Sequence, residues 1–365
     1  MIPAELYYDV YLMIVILLAL FTITNYKVKN SPFLSQTVNH KCLAVLTFFV
    51  FFIGLRPVSV VFADMRQYTD MLAYWNGLKF HFDFNAENKI YDNLMVFLAC
   101  NNFPYPLFYT FIAAIYYTCY YVCFRKIFRN DLFVVFIIFL SAFMTFSSSV
   151  NGIKAGAATA IFMVAVAYYN NWKVWLPVLL ISLGFHHAMQ LPVTAFICTK
   201  LCKKTKIYFC FWIFCALCAA AHITIFQTIL GSLTDDKSAS YLIGSGGEWG
   251  GRSGFRIDFV LYSAMPILVG YYAIIKKKFA DLYYERILSI YLLANGVWML
   301  CMYVNYNNRI AALSWGMYVV VLFYPVLRCA WPGNRGAVFR KIAWAHIGFT
   351  YAMHYIYYAF IHLNR

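Results

Sequence analysis

Charge is what this sequence has least of. Lys, Arg, Asp and Glu together make up 12% of its 365 residues, where a soluble globular domain carries roughly 25%. So few charges cannot clothe a water-facing surface, which excludes a soluble globular fold. A basic leader is also missing: the first apolar run, Val10 to Thr24, follows Glu5 and Asp9, so it reads as a true span rather than a cleaved signal. The 11 cysteines lie mostly inside apolar runs or beside lysines, as Cys198, Cys202 and Cys329 do, and the one CxxC, Cys215 to Cys218, sits within FWIFCALCAA. Neither a disulfide framework nor a metal knuckle is expected. HxxxH and GxxxxGK[ST] are both absent, which removes the usual signatures of a zinc site and of a nucleotide-phosphate loop.

What the chain does have is apolar length, with 63% of its residues hydrophobic. A helix of about 20 apolar residues crosses a hydrocarbon core of about 30 Å, and backbone in lipid must satisfy its own hydrogen bonds. The expectation is an all-α polytopic membrane bundle, one transmembrane domain over residues 1–365 with 10–12 membrane elements. Spans are expected near 8–26, 42–62, 104–124, 131–149, 152–169, 207–228, 258–275, 284–304, 309–328 and 341–362, with a short helical hairpin at 172–200. The net charge of +15 would suggest nucleic acid in a soluble chain. Here no nucleic-acid partner is expected, because the distribution of the charge reports orientation.

Lys27, Lys29, Lys41, Arg125, Lys126 and Arg129 place the first and third loops inside by the positive-inside rule. Lys173 precedes the 172–200 segment while Lys200, Lys203, Lys204 and Lys206 follow it, so both flanks belong inside and the segment must go in and return. Lys276 to Lys278 and Arg328 to Lys341 agree, and both termini then lie outside. The loops so assigned hold 19 Lys or Arg against Asp131, Asp281 and Glu285, leaving 10 bases and 11 acids elsewhere. From Lys173 to His186 is 13 residues, or about 20 Å of helix. His186 and His187 therefore fall at a hairpin tip below the outer surface, flanked by Pro177 and Pro192.

The ionisable groups at span ends gather on that same outer side. Arg56 closes the second span, followed by Asp64, Arg66 and Asp70; Asn151 and Lys154 open the fifth; Arg256 and Asp258 open another, and Arg309 one more. Cations at membrane depth usually face a cavity or a partner, and several aimed at one chamber suit a phosphate or pyrophosphate. A neutral imidazole could accept a proton from a hydroxyl there. The outer loop 63–103, with Trp75, Phe80, Phe82 and Phe84 among acids, reads as an interfacial helix resting on head groups. The loop 229–257, with Gly244, Gly246, Gly247, Gly250, Gly251 and Gly254, reads as a mobile lid or linker.

Gly54-Leu55-Arg56 with Asp64 and Tyr68, then Asn151-Gly152-Ile153-Lys154, Phe185-His186 and Arg309 together resemble the EpsG-like branch of Wzy-type polysaccharide polymerases. The motifs run in order from about residue 50 to 325. Lys154-Ala155 stands where that family usually has Arg-Gln, and lysine cannot copy a bidentate guanidinium grip. The resemblance implies a GT-C-like fold in a bacterial inner membrane; no cofactor or metal is expected. It implies transfer of a glycan from a polyprenyl pyrophosphate to a sugar hydroxyl of another lipid-linked repeat unit on the outer face. Its partners would be polyprenyl-pyrophosphate-linked oligosaccharides and membrane lipids, with a flippase and a chain-length regulator alongside.

Under that reading Arg56, Arg309, Arg256 and Lys154 hold the pyrophosphate, with Asn151 and Tyr68 as further substrate contacts. His186 is the general base, chosen over His187 because the latter falls at a position the family varies. Asp64 orients the acceptor or the histidine, and Asp258 is a reserve base. Two other classes stay open on the residues alone: a lipid-linked oligosaccharide flippase, whose polar groups should reach both sides of the midplane, and a membrane O-acyltransferase with an intramembrane histidine.

Overall fold

The computed structural model describes residues 2–27, 34–232, 254–304, 307–331 and 334–362, and the described chain is all helix apart from turns. Most of the expected glycine-rich loop 229–257 lies outside these residues. The helices are α1 (Tyr7–Thr24), α2 (Gln36–Gly54), α3 (Met65–Trp75), α4 (Lys89–Cys100), α5 (Tyr105–Phe128), α6 (Leu132–Leu140), α7 (Thr145–Val150), α8 (Ile153–Ala167) and α9 (Trp172–Phe185). They continue with α10 (Gln190–Leu201), α11 (Thr205–Ala220), α12 (Ile225–Ser232), α13 (Ile257–Tyr271), α14 (Leu282–Leu300), α15 (Asn307–Trp315), α16 (Tyr318–Arg328) and α17 (Arg335–His362). Among the described residues, four segments are long and apolar enough to cross a membrane: Ala4–Thr24, Gln36–Gly54, Ile257–Lys276 and Asn307–Arg328. The apolar helices α8, α9 and α11 are shorter. The protein is a polytopic membrane helix bundle.

Two of the expected spans end or break early, while the expected hairpin at 172–200 is present. The second span stops at Gly54, and Val60–Phe62 is a separate 3₁₀ turn, so Arg56 lies beyond the helix rather than within it. The run expected as one span at 131–149 breaks into α6 and α7, because the hydroxyls of Ser141 and Thr145 take the carbonyls of Ile138 and Phe139 at 2.7 and 2.6 Å and stabilise a turn. Segment 172–200 is two helices with the turn at His187–Met189 between them. Pro177 sits inside α9, and Pro192 falls in the first turn of α10, where its missing N–H is not needed.

The chain divides into two compact units, 1–189 with 331–365, and 190–330. In the first, α5 packs on α2 and α8, and α8 on α9. Its core is aromatic: Tyr120 and Phe139 lie 4.1 Å apart, and Tyr117, Phe124, Phe128 and Phe136 are buried around them. Met13, Leu17, Leu20 and Phe21 project from the opposite face of α1 and stay exposed, as side chains meant for lipid do. In the second unit, α14 is buried along most of its length against α10 and α11. Its fully buried Asn295 donates to Ser263 and Ser314 at 3.0 Å each and accepts from Trp212 Nε1 at 2.9 Å. A satisfied polar knot of this kind holds helices together where hydrophobic burial cannot distinguish protein from lipid.

Candidate functional site

The site begins with a close helix contact. A Cβ on Gly54 would stand 2.4 Å from Thr110 Cα, so only glycine lets α2 end against α5 and deliver Arg56 at that point. Arg56 is 4% exposed. Its Nη1 donates to Ile53 O at 2.7 Å and its Nη2 to Val150 O at 3.0 Å, while the guanidinium lies over Tyr109 at 4.9 Å and Phe62 at 5.5 Å. Burial pulls its pKa down to about 10, opposed by the neighbouring phenols, so it stays charged at neutral pH. Among the described residues no carboxylate pairs with it, and its buried Nε has no hydrogen-bond partner.

Two more buried polar atoms are unpartnered nearby among the described residues. One is Oδ1 of Asn151, next in the chain to the carbonyl that Arg56 holds; the other is the hydroxyl of Tyr91, whose residue is 1% exposed and within electrostatic reach of Arg56. Buried polar groups without partners are rare in folded proteins, and each calls for an explanation.

Lys154 enters from the first turn of α8. A Cβ on Gly156 would come within 2.1 Å of Ser148 O, so α7 and α8 close tightly around the Asn151–Gly152 turn. Lys154 Nζ lies 3.2 Å from Asp92 Oδ1 and 5.4 Å from the Tyr91 ring centre. A cation in a first helical turn opposes the helix dipole, and Asp92 offsets it from the first turn of α4.

The histidine turn closes the cluster. His186 ends α9 in extended backbone, and its Nδ1 lies 3.1 Å from the Ala188 N–H. The His187 ring stacks on it at 5.0 Å. Its Nδ1 lies 3.1 Å from Glu87 Oε1 and 3.3 Å from Asn88 Oδ1, and its backbone N–H donates to the same Asn88 oxygen at 2.9 Å. Asn88 is 2% exposed and donates through Nδ2 to Asp92 Oδ2 at 3.2 Å. The chain of contacts therefore runs His187, Asn88, Asp92, Lys154.

Sequence reasoning missed Glu87, Asn88 and Asp92. The signal was the polar stretch Asn85 to Asp92 opening an apolar run, a helix start, inside a segment read only as an interfacial loop. Of the remaining expected residues, Tyr68 on α3 faces Tyr91 with ring centres 6.2 Å apart, and Asp64 is half-buried just before α3. The other face of α3 (Arg66, Gln67, Asp70, Met71, Tyr74 and Trp75) lines an open concavity of about 600 Å³.

The remaining expected residues belong to the second unit. Arg256 donates to Asp258 through Nε at 2.9 Å and Nη2 at 2.5 Å, and its guanidinium lies 3.8 Å over Phe259. Asp258 suits the first turn of α13, where a carboxylate complements the helix dipole. The fork of Arg256 is thus occupied by its own helix. Arg309 is exposed in the first turn of α15. Among the described residues no three His, Cys, Asp or Glu side chains converge as a metal site requires.

Searches of curated proteins and of solved structures return no match. A family model does match, over residues 39–363 and so nearly the whole chain. On that match the protein belongs to the EpsG family, a Wzy-like polysaccharide polymerase family.

Proposed function

We propose that this EpsG-family protein joins lipid-linked glycans: the anomeric carbon of a polyprenyl-pyrophosphate-linked donor leaves its phosphate oxygen and bonds to a sugar hydroxyl of a second lipid-linked repeat unit. The leaving pyrophosphate needs cations, and the incoming hydroxyl needs one base near neutral pH. The observation that carries this reading is Arg56, a buried guanidinium whose Nε is unpartnered and which no carboxylate neutralises among the described residues. Arg56 and Lys154 take the pyrophosphate, with Asn151 and Tyr91 as polar contacts and an imidazole of the histidine turn receiving the hydroxyl proton. Asp64 and Tyr68 border the acceptor, and the Arg66-to-Trp75 face of α3, with two aromatic rings among polar side chains, offers stacking for its sugars. The role of Arg309 as a second phosphate contact rests on the resemblance alone. Arg256, already forked to Asp258, holds the start of α13 instead. The reaction runs on the outer face, as the distribution of Lys and Arg favours, and the family resemblance implies a bacterial inner membrane.

The test is direct. Purified protein in lipid nanodiscs is given polyprenyl-pyrophosphate-linked repeat units, and products are resolved by length. A ladder of longer glycans with matching release of polyprenyl pyrophosphate is expected. Unchanged substrate would favour a flippase and acylated sugar an O-acyltransferase, and either result overturns the proposal.

A further inference from the structure

The two histidines are not interchangeable, because their hydrogen bonds select opposite tautomers. A neutral imidazole carries one N–H donor and one bare acceptor nitrogen. At His186 the neighbour of Nδ1 is a backbone N–H, that of Ala188 at 3.1 Å. An N–H can only donate, so Nδ1 is the bare nitrogen and the ring proton resides on Nε2. At His187 the neighbours of Nδ1 are the Glu87 carboxylate at 3.1 Å and Asn88 Oδ1 at 3.3 Å. Both are acceptors, so Nδ1 carries the proton and Nε2 is bare.

The orientation of Asn88 is fixed independently. Its oxygen accepts the His187 backbone N–H at 2.9 Å while its Nδ2 donates to Asp92 Oδ2 at 3.2 Å. Reversing the amide would set donor against donor at His187 and acceptor against acceptor at Asp92. The acceptor character of Asn88 toward the His187 ring is therefore built in by two other bonds.

We infer that His187, oriented by Glu87 and Asn88, is the general base of glycan transfer, and that His186 is a neutral hydrogen-bond donor beside it. This rests on the polymerase reading above and reverses the choice of histidine that the family resemblance suggested. In the step, the acceptor hydroxyl gives its proton to His187 Nε2 as its oxygen bonds to the donor's anomeric carbon. The bond from that carbon to the pyrophosphate oxygen breaks, and the pyrophosphate leaves with the electron pair. The imidazolium so formed faces the Glu87 carboxylate, and it returns its proton to water after product leaves.

Glutamine separates the two roles, since its side-chain amide can supply an N–H donor but cannot act as a base. His187→Gln is expected to lower kcat by about 10²- to 10⁴-fold, the usual contribution of a general base, with KM little changed. His186→Gln is expected to lose less than about tenfold in kcat. Both are measured on purified protein in nanodiscs with lipid-linked repeat units, after size-exclusion profiles show that each variant is folded. His187→Gly with added imidazole supplies a second readout, because a small-molecule base can restore proton transfer but not a structural contact. Recovery of polymer in that variant supports the assignment. A greater loss in His186→Gln than in His187→Gln overturns it, as does failure of imidazole to restore any polymer to His187→Gly, while wild-type polymerisation leaves the polymerase reading intact. Absence of polymer from the wild type defeats that reading instead.

Discussion

Arg56 and Arg256 both stand at the ends of apolar helices, and in the sequence they look alike. Their surroundings separate them. Arg256 has a carboxylate two residues away and spends its fork on it, with contacts at 2.9 and 2.5 Å. Arg56 is held by two main-chain carbonyls and two aromatic rings, and retains a buried N–H with no partner among the described residues. Carbonyls and rings orient a guanidinium without cancelling its charge, whereas a bidentate carboxylate does both. Under the proposed function, the first arrangement leaves a cation able to take an incoming anion. The second locks a helix terminus.

The comparison breaks most readily at Arg56. Arg56→Ala is expected to cut glycan polymerisation by about 10²- to 10³-fold, the range seen when one preorganised donor to a developing negative charge is removed. Arg56→Lys keeps the charge but loses the planar fork whose two nitrogens meet Ile53 O and Val150 O separately, and should fall between Ala and wild type. Glycan ladders at matched protein level measure both. A normal ladder from Arg56→Ala would show that the reserved charge serves packing alone.

A smaller effect is expected one step away, where Arg56 is positioned. In Gly54→Ala the new methyl would meet Thr110 Cα at 2.4 Å, a backbone atom that cannot swing aside. Overpacking of this kind costs about 1–3 kcal/mol and must push the end of α2 away from α5. Thermal unfolding in detergent should show the loss, and polymer yield should fall with it. Gly152→Ala is the control, because nothing lies within 4 Å of that position.

How much of this could be read from the chain differs by level. The helical bundle follows from apolar length, and Arg56 was visible as a cation closing an apolar run. The break between α6 and α7 was hidden, because apolar character continues through Ser141 to Met144 and the turn depends on which carbonyls two hydroxyls reach. The isolation of Arg56 was hidden for a related reason: its second carbonyl comes from Val150, 94 residues on. Asn88 lies 99 residues before His187, so no local spacing could pair them. Local chemistry marks which groups are costly to bury, and only the packing decides which of them meet.

The smallest expected effect sharpens the other half of the comparison. If Arg256 and Asp258 serve mainly each other, removing both should cost less than the sum of removing each. Their side chains are 14% and 25% exposed, so solvent still screens the pair, and a coupling of about 0.2–1 kcal/mol is expected from a double-mutant cycle of Arg256→Ala and Asp258→Ala. The Arg256 ring contact at 3.8 Å to Phe259 does not depend on Asp258 and should survive in the Asp258→Ala single variant. Asp258→Ala also frees the Arg256 fork, which makes it the sharper of the two single changes. Should it raise affinity for inorganic pyrophosphate while Arg256→Ala lowers it, Arg256 would join Arg56 as an anion ligand and the contrast between them would fail. Equal pyrophosphate binding by both variants and the wild type, measured by calorimetry on detergent-solubilised protein, would leave Arg256 as the clasp of α13.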